Sequence, residues 1–423
     1  MFAKFCIFLF MFCISSVFGS VPNLDFQVNR NISLFYQTYF ENLMDEEYKN
    51  LHEELEGAFA ENEVDAQMKE DFIIDLSKMK NLKYRHKFMT PTFMSLWDKA
   101  CEKYDRQFDN DMEILNNRKL ELKQYSNEVF GKKALNFAPV FNFYDSKIDK
   151  HDKFRVFICS SQNNMQSFAR AFGTNVVLKF NYAHHVADTC AVLEQICCSL
   201  FSAMNSNTRA LLKNYFYEHK SQNAYASYNL LNEVLAYSIG KLWAFEKLPE
   251  PKDSSVDNAT DDKIAEIAKA ILPTVKKYLK DNKKIDIKFI EEYIKQVDLH
   301  YPKAYQNYKI TMRSISLIVE NGIDYTECQK IIKTRFGTRE VISEPGSFTT
   351  VFIGKNLGHP ALNGLQDKLP KQNADYMFIK LHKGKLFFVF NTNELKKVKQ
   401  GLNKLTEQHH YLEASLLICK DRY

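Results

Sequence analysis

Apolar residues recur every three or four positions between residue 41 and about residue 130, as in FMSLWDKACEKYDRQFDNDMEIL. Glu, Lys and Asp fill the positions between them, so this spacing predicts several amphipathic helices whose charged faces lie in solvent. The segment before them, LDFQVNRNISLFYQTYF, predicts a short strand that leads into a helix. The charges of this region therefore need no function other than solvation.

The pattern changes near Lys132, where helical spacing gives way to short runs rich in Val, Phe, Ile and Tyr. The runs LNFAPVFNFYDSK, KFRVFICSS and NVVLKFNYA are bounded by Asn, Asp, Ser and Gly, which predicts strands. Two long stretches with helical spacing follow, at residues 186–205 and 224–247. The next segment, KLPEPKDSSVDNATDD, has two prolines and a cluster of Ser, Asp and Asn, so it predicts a linker or long surface loop.

The C-terminal part of the chain contains both the spacing of apolar residues that is typical of helices and the spacing that is typical of strands. DDKIAEIAKAILPTVKKYLKDN, DIKFIEEYIKQV and DYTECQKIIKTRF predict helices, and Pro273 is expected to kink or divide the first of them. SFTTVFIGKN predicts a strand, and DYMFIKLHKGKLFFVF predicts a β-hairpin that turns at His382-Lys383-Gly384. Together with the upstream segments, these patterns predict a helix-rich α+β fold whose C-terminal α+β region contains a hairpin.

The first nineteen residues have the features of a secretory signal peptide. Lys4 precedes an apolar run that ends at Ile14, and a small-residue pattern follows at which a signal peptidase can cut, after Gly19. The alternative is an uncleaved anchor helix, but the apolar run is short for a membrane span. We therefore expect a soluble mature chain that is secreted or periplasmic, with no later segment apolar enough to span a membrane.

Charge and motifs exclude several classes of function. The formal charge of +5 at pH 7 is spread thinly along the chain, so we expect neither nucleic acid nor a membrane surface as a partner. The chain has no G-x-S-x-G segment, no P-loop and no Rossmann glycine pattern. Nucleotide binding through a glycine-rich loop is therefore not predicted.

The cysteines do not form the dense framework of a small disulfide-rich domain. Cys6 and Cys13 leave with the signal peptide, and an odd number remains, so at least one thiol stays unpaired or bonds to another chain. The remaining cysteines are Cys101, Cys159, Cys190, Cys197, Cys198, Cys328 and Cys419. Three of these lie in the apolar helical stretch at residues 186–205, and we expect them to be core residues.

The first of the two long helical stretches contains the candidate chemistry, in AVLEQICCSLFSAM. Its apolar stripe comprises Val186, Cys190, Leu193, Cys197, Leu200 and Met204. The segment LEQIC has the frame of the zinc-binding motif H-E-x-x-H, with the glutamate, Glu194, kept and both histidines replaced. In that motif the i,i+4 spacing lets two imidazoles reach one metal from a single helix turn, and the glutamate acts as general base.

The second stretch carries a glutamate on an otherwise small or apolar face. Ala226, Leu230, Glu233, Tyr237 and Gly240 share that face, so the Glu233 carboxylate is expected to point into a core or cleft. The segment NEVLAY is similar to the N-E-x-x-A segment with which gluzincin-type zinc peptidases supply their third metal ligand.

Residues 132–247 therefore resemble a secreted zinc metallopeptidase of the H-E-x-x-H plus downstream glutamate kind, which is gluzincin-like. The resemblance implies a zincin-like central domain with a small mixed sheet, Glu194 as general base and Glu233 as metal ligand. It also implies that the strand ending near Asn181 is an edge strand that binds peptide by strand addition. The chain departs from the pattern at Leu193 and Cys197, so we expect a pseudoenzyme that has lost its zinc.

Such a protein is expected to bind a peptide or protein partner without hydrolysis. One alternative is an active zinc peptidase with non-standard ligands, in which Glu233 is joined by some of His184, His185 and Cys197. Another is a structural exported protein unrelated to proteases. The predicted division is a signal peptide at residues 1–19, an N-terminal helical region at 20–131, a zincin-like core at 132–247, a linker or surface loop at 248–262 and a C-terminal helical and α+β region at 263–423.

Two weaker candidates complete the set. His184 and His185, with Asp188 and Cys190, have residue types that bind transition metals, although a doublet at a strand-to-helix junction is more often exposed polar surface. Cys159 with His184 or His185 is a possible nucleophilic pair, but its surroundings in sequence give no sign of an activated thiol. The second histidine doublet, His409-His410, is interpreted as surface.

Overall fold

The computed structural model of this chain mixes helices with strands throughout, which confirms the predicted helix-rich α+β class. It describes residues 22–40, 46–61, 66–78, 89–131, 135–160, 167–180, 185–248, 262–320, 322–338, 340–344, 347–371, 374–382, 385–407 and 415–418. The predicted signal peptide, most of the predicted linker and the hairpin residues Lys383 and Gly384 lie outside these ranges. Among the helices that the structure describes, none is both long and apolar enough to cross a lipid bilayer.

The helices, in chain order, are α1 (Arg30–Phe40), α2 (Glu46–Glu61), α3 (Ala66–Lys78), α4 (Pro91–Gly131), α5 (Ala138–Phe143), α6 (His185–Ser202), α7 (Ser206–Glu218), α8 (Ala224–Ala236), α9 (Asp262–Lys280), α10 (Ile287–His300), α11 (Tyr308–Thr311), α12 (Tyr325–Phe336) and α13 (Leu395–Glu407). A π-helix, Tyr237–Trp243, continues α8. The strands are β1 (Asn23–Gln27), β2 (Lys153–Cys159), β3 (Phe168–Phe172), β4 (Asn175–Lys179), β5 (Ser314–Val319), β6 (Glu340–Ile342), β7 (Thr349–Ile353), β8 (Tyr376–His382), β9 (Lys385–Asn391) and β10 (Ser415–Ile418).

The chain divides into two compact units, each with its own sheet. Unit 1 consists of residues 1–208 and 232–286, and unit 2 of residues 209–231 and 287–423. This division passes through α8 and differs from the boundaries predicted at residues 132 and 263. The physical reason is that α9 packs along the π-helix and so belongs to unit 1.

The sheet of unit 1 has the strand order β1-β2-β4-β3. Strands β1, β2 and β4 are parallel, and β3 is antiparallel to β4. Gly173, at φ 55°, and Thr174 form the two-residue turn between β3 and β4, and glycine adopts this left-handed conformation at little cost. The Glu70 carboxylate of α3 accepts a hydrogen bond from the Thr174 backbone N–H at 3.0 Å, which ties the turn to the helices.

Helices cover this sheet because its central strands are apolar on both faces. The last four residues of β2 and the first four of β4 are buried. Helix α4, 41 residues long, packs against α2, α6 and β1. Its buried positions follow the helical period that the sequence predicts and include Tyr104, Phe108, Leu115 and Leu122.

The sheet of unit 2 has the strand order β10-β8-β9-β7-β5-β6. Strands β5, β6, β7 and β9 are parallel to their neighbours in this group, whereas β8 is antiparallel to both β9 and β10. The predicted hairpin is confirmed, since Tyr376 pairs with Asn391 and His382 with Lys385. One face of the sheet carries an apolar cluster formed by Ile318, Phe352, Leu362, Leu365, Leu369, Tyr376, Phe378, Phe387 and Val389.

Some local predictions are wrong, and each error has a physical cause. The run LNFAPVFNFYDSK is not a strand but contains α5, with its proline at the start of the helix, where the missing N–H costs nothing. Helix α9 is not divided at Pro273, because the amphipathic face on both sides of the proline is buried. The short strands β3 and β5 were not predicted: they are only five and six residues long, although a turn signal that contains glycine follows each of them in sequence.

Candidate functional site

Helix α6 forms the centre of the candidate site. Its predicted apolar stripe is confirmed, since Val186, Cys190, Leu193, Cys197 and Leu200 are each at most 1% exposed. The helix packs against β3, β4 and the π-helix. The other face of its central turn carries Glu194 and Gln195, which are both half-buried.

The two positions that correspond to metal-binding histidines are core positions. Leu193 and Cys197 are fully buried. Burial raises the pKa of the Cys197 thiol well above its ordinary value, and the thiol lies beside the hydroxyl of Tyr144. The Cys197 side chain therefore packs as a core residue.

Glu194 forms an ion pair with Lys241, a residue of the π-helix. Lys241 Nζ lies 3.3 Å from Glu194 Oε2, and the two side chains are only 15% and 22% exposed. The same ammonium group lies 5.1 Å from the centre of the Tyr237 ring. It also opposes the rise, caused by burial, of the pKa of Cys190 to about 12. Lys241 therefore supplies a positive charge next to Glu194.

Glu233 is close enough to influence the charge of Glu194. Burial raises the pKa of Glu194 above the ordinary value of 4.5, Lys241 opposes that rise, and the negative charge of Glu233 adds to it. The structure thus brings together the two glutamates that the sequence singles out. It places a lysine with them, which the sequence analysis did not identify.

The π-helix approaches α6 unusually closely. A Cβ atom added at Gly240 would lie 2.4 Å from both the Cα and the N atoms of Glu194, which is closer than real Cβ atoms come to backbone. Only glycine permits this approach. π-Helical turns are rare and occur frequently at functional sites, and this one places Lys241 beside Glu194.

The edge of the unit 1 sheet runs beside the same helix. The strand that the sequence placed at the edge, the one ending near Asn181, is β4, and it lies between β2 and β3. The edge strand next to α6 is instead β3, which among the described strands pairs only with β4. The backbone N–H of Ala171 in β3 donates to Gln195 Oε1 of α6 at 3.1 Å. This N–H therefore points away from β4.

The backbone groups of Ala169 point the same way, because outward orientation alternates with a period of two residues in an antiparallel pair. The edge strand also alternates in its side chains. Phe168 is 42% exposed, whereas Ala169 is buried. The outward N–H and C=O groups of β3 thus lie next to α6, which contacts them through Gln195, the residue that follows Glu194.

The predicted histidine and aspartate cluster is not a metal site in its described part. Asp188 is fully buried, and its Oδ2 atom lies 2.9 Å from Arg118 Nη2 of α4. Its Oδ1 atom accepts a hydrogen bond of 2.5 Å from Ser167. Asp188 therefore balances a buried guanidinium. His185 packs against the ring of Tyr125 with a centroid separation of 4.5 Å, and His184 lies outside the described residues.

Cys159 has the surroundings of a core thiol. It is fully buried at the end of β2, and the hydroxyl of Ser33 donates to its sulfur atom at 3.6 Å. Its sulfur also lies 3.9 Å from the carbonyl oxygen of Phe157. These contacts show no cation or helix terminus that would activate a nucleophile. The other doublet, His409-His410, lies outside the described ranges.

A zinc ion does not fit the residues around Glu194. Leu193 offers no donor atom, Cys197 is fully buried in the core, and the Glu194 carboxylate already forms an ion pair with Lys241. In the part of the chain that the structure describes, no three His, Cys, Asp or Glu side chains are arranged to hold a metal ion. A catalytic zinc site needs about three protein ligands.

No protein-family model, curated protein or solved structure matches this chain. A function for the site can therefore be inferred only from the geometry of its residues. Sequence reasoning found Glu194 and Glu233 but missed Lys241 and Gln195. A signal for Lys241 existed, because it is a lone cation in the otherwise apolar segment YSIGKLWA, four residues after Tyr237.

Proposed function

We propose that this chain is an exported, metallopeptidase-like protein that binds an extended peptide segment of a partner without hydrolysing it. The observation that carries the proposal is the ion pair between Glu194 and Lys241 at 3.3 Å. In a zinc peptidase the corresponding glutamate activates a metal-bound water. Here the carboxylate has an ammonium partner, and the residue before it on the helix is leucine.

The outer edge of β3 supports the binding half of the proposal. An extended peptide adds to a sheet edge through backbone hydrogen bonds, so it needs a row of outward N–H and C=O groups. Ala169 and Ala171 supply that row, and α6 lies along it, with Gln195 bonded to the Ala171 N–H. The resemblance to gluzincins placed the binding edge at the strand ending near Asn181, which is the internal strand β4, so the proposal moves strand addition to β3, the edge strand next to α6.

Binding and hydrolysis are tested on the full mature chain, purified without chelators or a His tag. We expect no stoichiometric zinc by mass spectrometry and no hydrolysis of fluorescein-labelled casein with or without added zinc. We expect saturable binding of decapeptides from a random-sequence array. About one zinc per chain, lost in Glu233→Ala together with casein hydrolysis, would instead identify an active peptidase.

A pair of substitutions in β3 tests where the peptide binds. Ala169→Pro removes the outward N–H and leaves the hydrogen bonds to β4 in place, so it should abolish decapeptide binding. Ala169→Ser keeps that N–H and should bind like the wild type. Equal binding by both variants would exclude the β3 edge, and no binding by the wild type would favour a structural exported protein.

A further inference from the structure

The positive charge of this chain is concentrated in one segment of unit 2. Residues 355–404 contain ten lysines, no arginine and three acidic residues, which is a formal charge of +7, whereas the whole chain carries +5. The rest of the chain is therefore slightly acidic, and the expected even spread of charge does not hold. A concentrated charge attracts ions of the opposite sign if the fold leaves it exposed and uncompensated.

Two of the three carboxylates lie at the end of β8 and β9 that is away from the hairpin turn. Asp375, just before β8, pairs with Lys355 and lies 2.5 Å from Lys397 Nζ. Glu394, just after β9, lies 2.9 Å from the same Nζ atom. These two carboxylates therefore compensate lysines at that end and none at the turn.

The lysines at the turn end share one face of the sheet. His382 pairs with Lys385, and Lys380 with Phe387, and residues that are opposite each other in an antiparallel pair point to the same face. Phe387 belongs to the apolar cluster, which identifies the face. Lys368 Nζ lies 3.0 Å from His382 Nδ1, so the segment before β8 adds a further lysine there. Lys368 and Lys385 are exposed, and Lys380 is half-buried.

Helix α7 adds a fourth lysine and an aromatic ring. Lys385 Nζ lies 5.4 Å from the centre of the Tyr217 ring, and Lys213 Nζ lies 6.0 Å from it. The Tyr217 ring stacks on Phe348 with a centroid separation of 3.8 Å. None of the carboxylates that the structure describes forms an ion pair with these lysines. We name them the hairpin patch, which comprises Lys213, Lys368, Lys380 and Lys385.

We propose that the hairpin patch binds an acidic polysaccharide, a chain with repeated carboxylate or sulfate groups. This inference goes beyond the proposed function and uses only its export. Lys380 and His382 are two residues apart in one strand, about 7 Å, and the patch continues across the hairpin to α7. It is therefore long enough to meet several charges of one linear polyanion.

Two other classes of partner fit the patch less well. Proteins that bind single-stranded nucleic acid stack bases on aromatic side chains, but one face of the Tyr217 ring is covered by Phe348 and two ammonium groups lie over the ring. A protein interface has an apolar centre. Among the described residues, no exposed large apolar side chain belongs to β8, β9 or residues 360–371, and Leu211 of α7 does not share a helix face with Lys213.

The patch is tested by isothermal titration of the full mature chain with heparin, which is sulfated, and with polygalacturonate, which is carboxylated. Changing all four patch lysines to Gln should weaken binding of the tighter ligand about thirtyfold, because each exposed ion pair contributes about two- to threefold. Changing only the exposed pair, Lys368 and Lys385, should weaken it about fivefold. Arginine at all four positions keeps the charge and should bind like the wild type.

The matched control removes the same charge from lysines that already pair with carboxylates. It changes four lysines to Gln and should weaken binding less than about threefold. The control positions are Lys263, Lys276, Lys283 and Lys295.

Equal weakening in the patch and control variants would overturn the proposal, because net charge alone would then explain the binding. No binding of either polysaccharide by the wild type would overturn it too. Tighter binding of oligo(dT) or of phosphatidylserine vesicles than of both polysaccharides would assign the patch to another partner. Decapeptide binding should be the same in the patch variant and the wild type, so the proposed function and this inference fail independently.

Discussion

At the scale of single residues, the main feature of the candidate site is the Glu194 carboxylate, which forms an ion pair with Lys241. Glu194 and Lys241 are each less than a quarter exposed, so water compensates their charges only in part. A half-buried pair gains little net stability from its own attraction, but removing one partner leaves a poorly solvated charge. The residue predictions follow from this asymmetry.

Lys241→Met should lower the free energy of unfolding by about 2 kcal/mol, because it leaves Glu194 without its cation. Adding Glu194→Gln to that variant should restore part of the loss, since both partners are then neutral. Lys276→Met is the control: its pair with Glu246 is exposed, and the cost should stay below about 1 kcal/mol. Urea unfolding of the wild type, the two single variants and the double variant measures these free energies. Equal losses of stability in Lys241→Met and Lys276→Met would contradict the burial of the pair between Glu194 and Lys241.

The pH dependence of stability should reveal the raised pKa of Glu194. Above pH 4.5 the unfolded chain loses this proton while the native protein still holds it, so the native state binds more protons. The stability of the wild type should therefore fall relative to Glu194→Gln as pH rises through the range from 4.5 to the native pKa. Thermal unfolding of both proteins between pH 4 and pH 8 tests this sign, and a constant difference would refute it.

At the scale of elements, the site is made by the close packing of the π-helix on α6. Gly240 lies over the backbone of Leu193 and Glu194, so the distance between these elements is set by backbone contact. Lys241 is the residue after Gly240, and it reaches Glu194 because the π-helix and α6 are so close. The position of the charge is therefore a consequence of the packing.

Gly240→Ala should destabilise unit 1 by about 3 kcal/mol, because its Cβ meets backbone atoms at 2.4 Å that cannot move aside. Gly57→Ala is the matched control. Gly57 lies in α2 with no atom within 4 Å of an added Cβ, so alanine should stabilise that helix by about 1 kcal/mol. Opposite signs in urea unfolding confirm the close approach, whereas a neutral Gly240→Ala would show that the π-helix lies further from α6.

At the scale of the whole molecule, each unit has its own sheet, and the described cysteines are buried or half-buried. No disulfide joins Cys101, Cys159, Cys190, Cys197, Cys198 and Cys328, which are all the cysteines that the structure describes. The stability of the described units therefore comes from apolar burial and not from cross-links. The predicted export makes the lack of disulfides among these cysteines unexpected, since oxidising compartments favour disulfides.

The melting temperature of the purified chain should be the same with and without dithiothreitol, within about 1 °C. The described thiols are unbridged, so a reductant has nothing to break among them. Differential scanning calorimetry under both conditions makes the comparison. A large drop on reduction would reveal a structural disulfide that involves Cys419 or a second chain.

The sequence alone determined the secondary structure wherever one face of an element is continuously apolar. Helices α4, α6, α10 and α12, strands β2 and β4 and the β8–β9 hairpin follow from periods of 3.6 and 2 residues, because those periods place apolar side chains on a single face. The same periodicity placed Leu193 and Cys197 in the core, and it identified Glu194 and Glu233 as glutamates on largely apolar helices.

Only the tertiary structure decided which residues meet. Lys241 pairs with Glu194, Arg118 with Asp188, and Gln195 with the edge of β3, and each pair joins segments whose separation in sequence carries no information about distance. Local pattern also failed at α5 and β3, which are too short to show a period. A charge or an edge acquires its partner only when distant elements pack, so the chemistry of this site is a property of the fold.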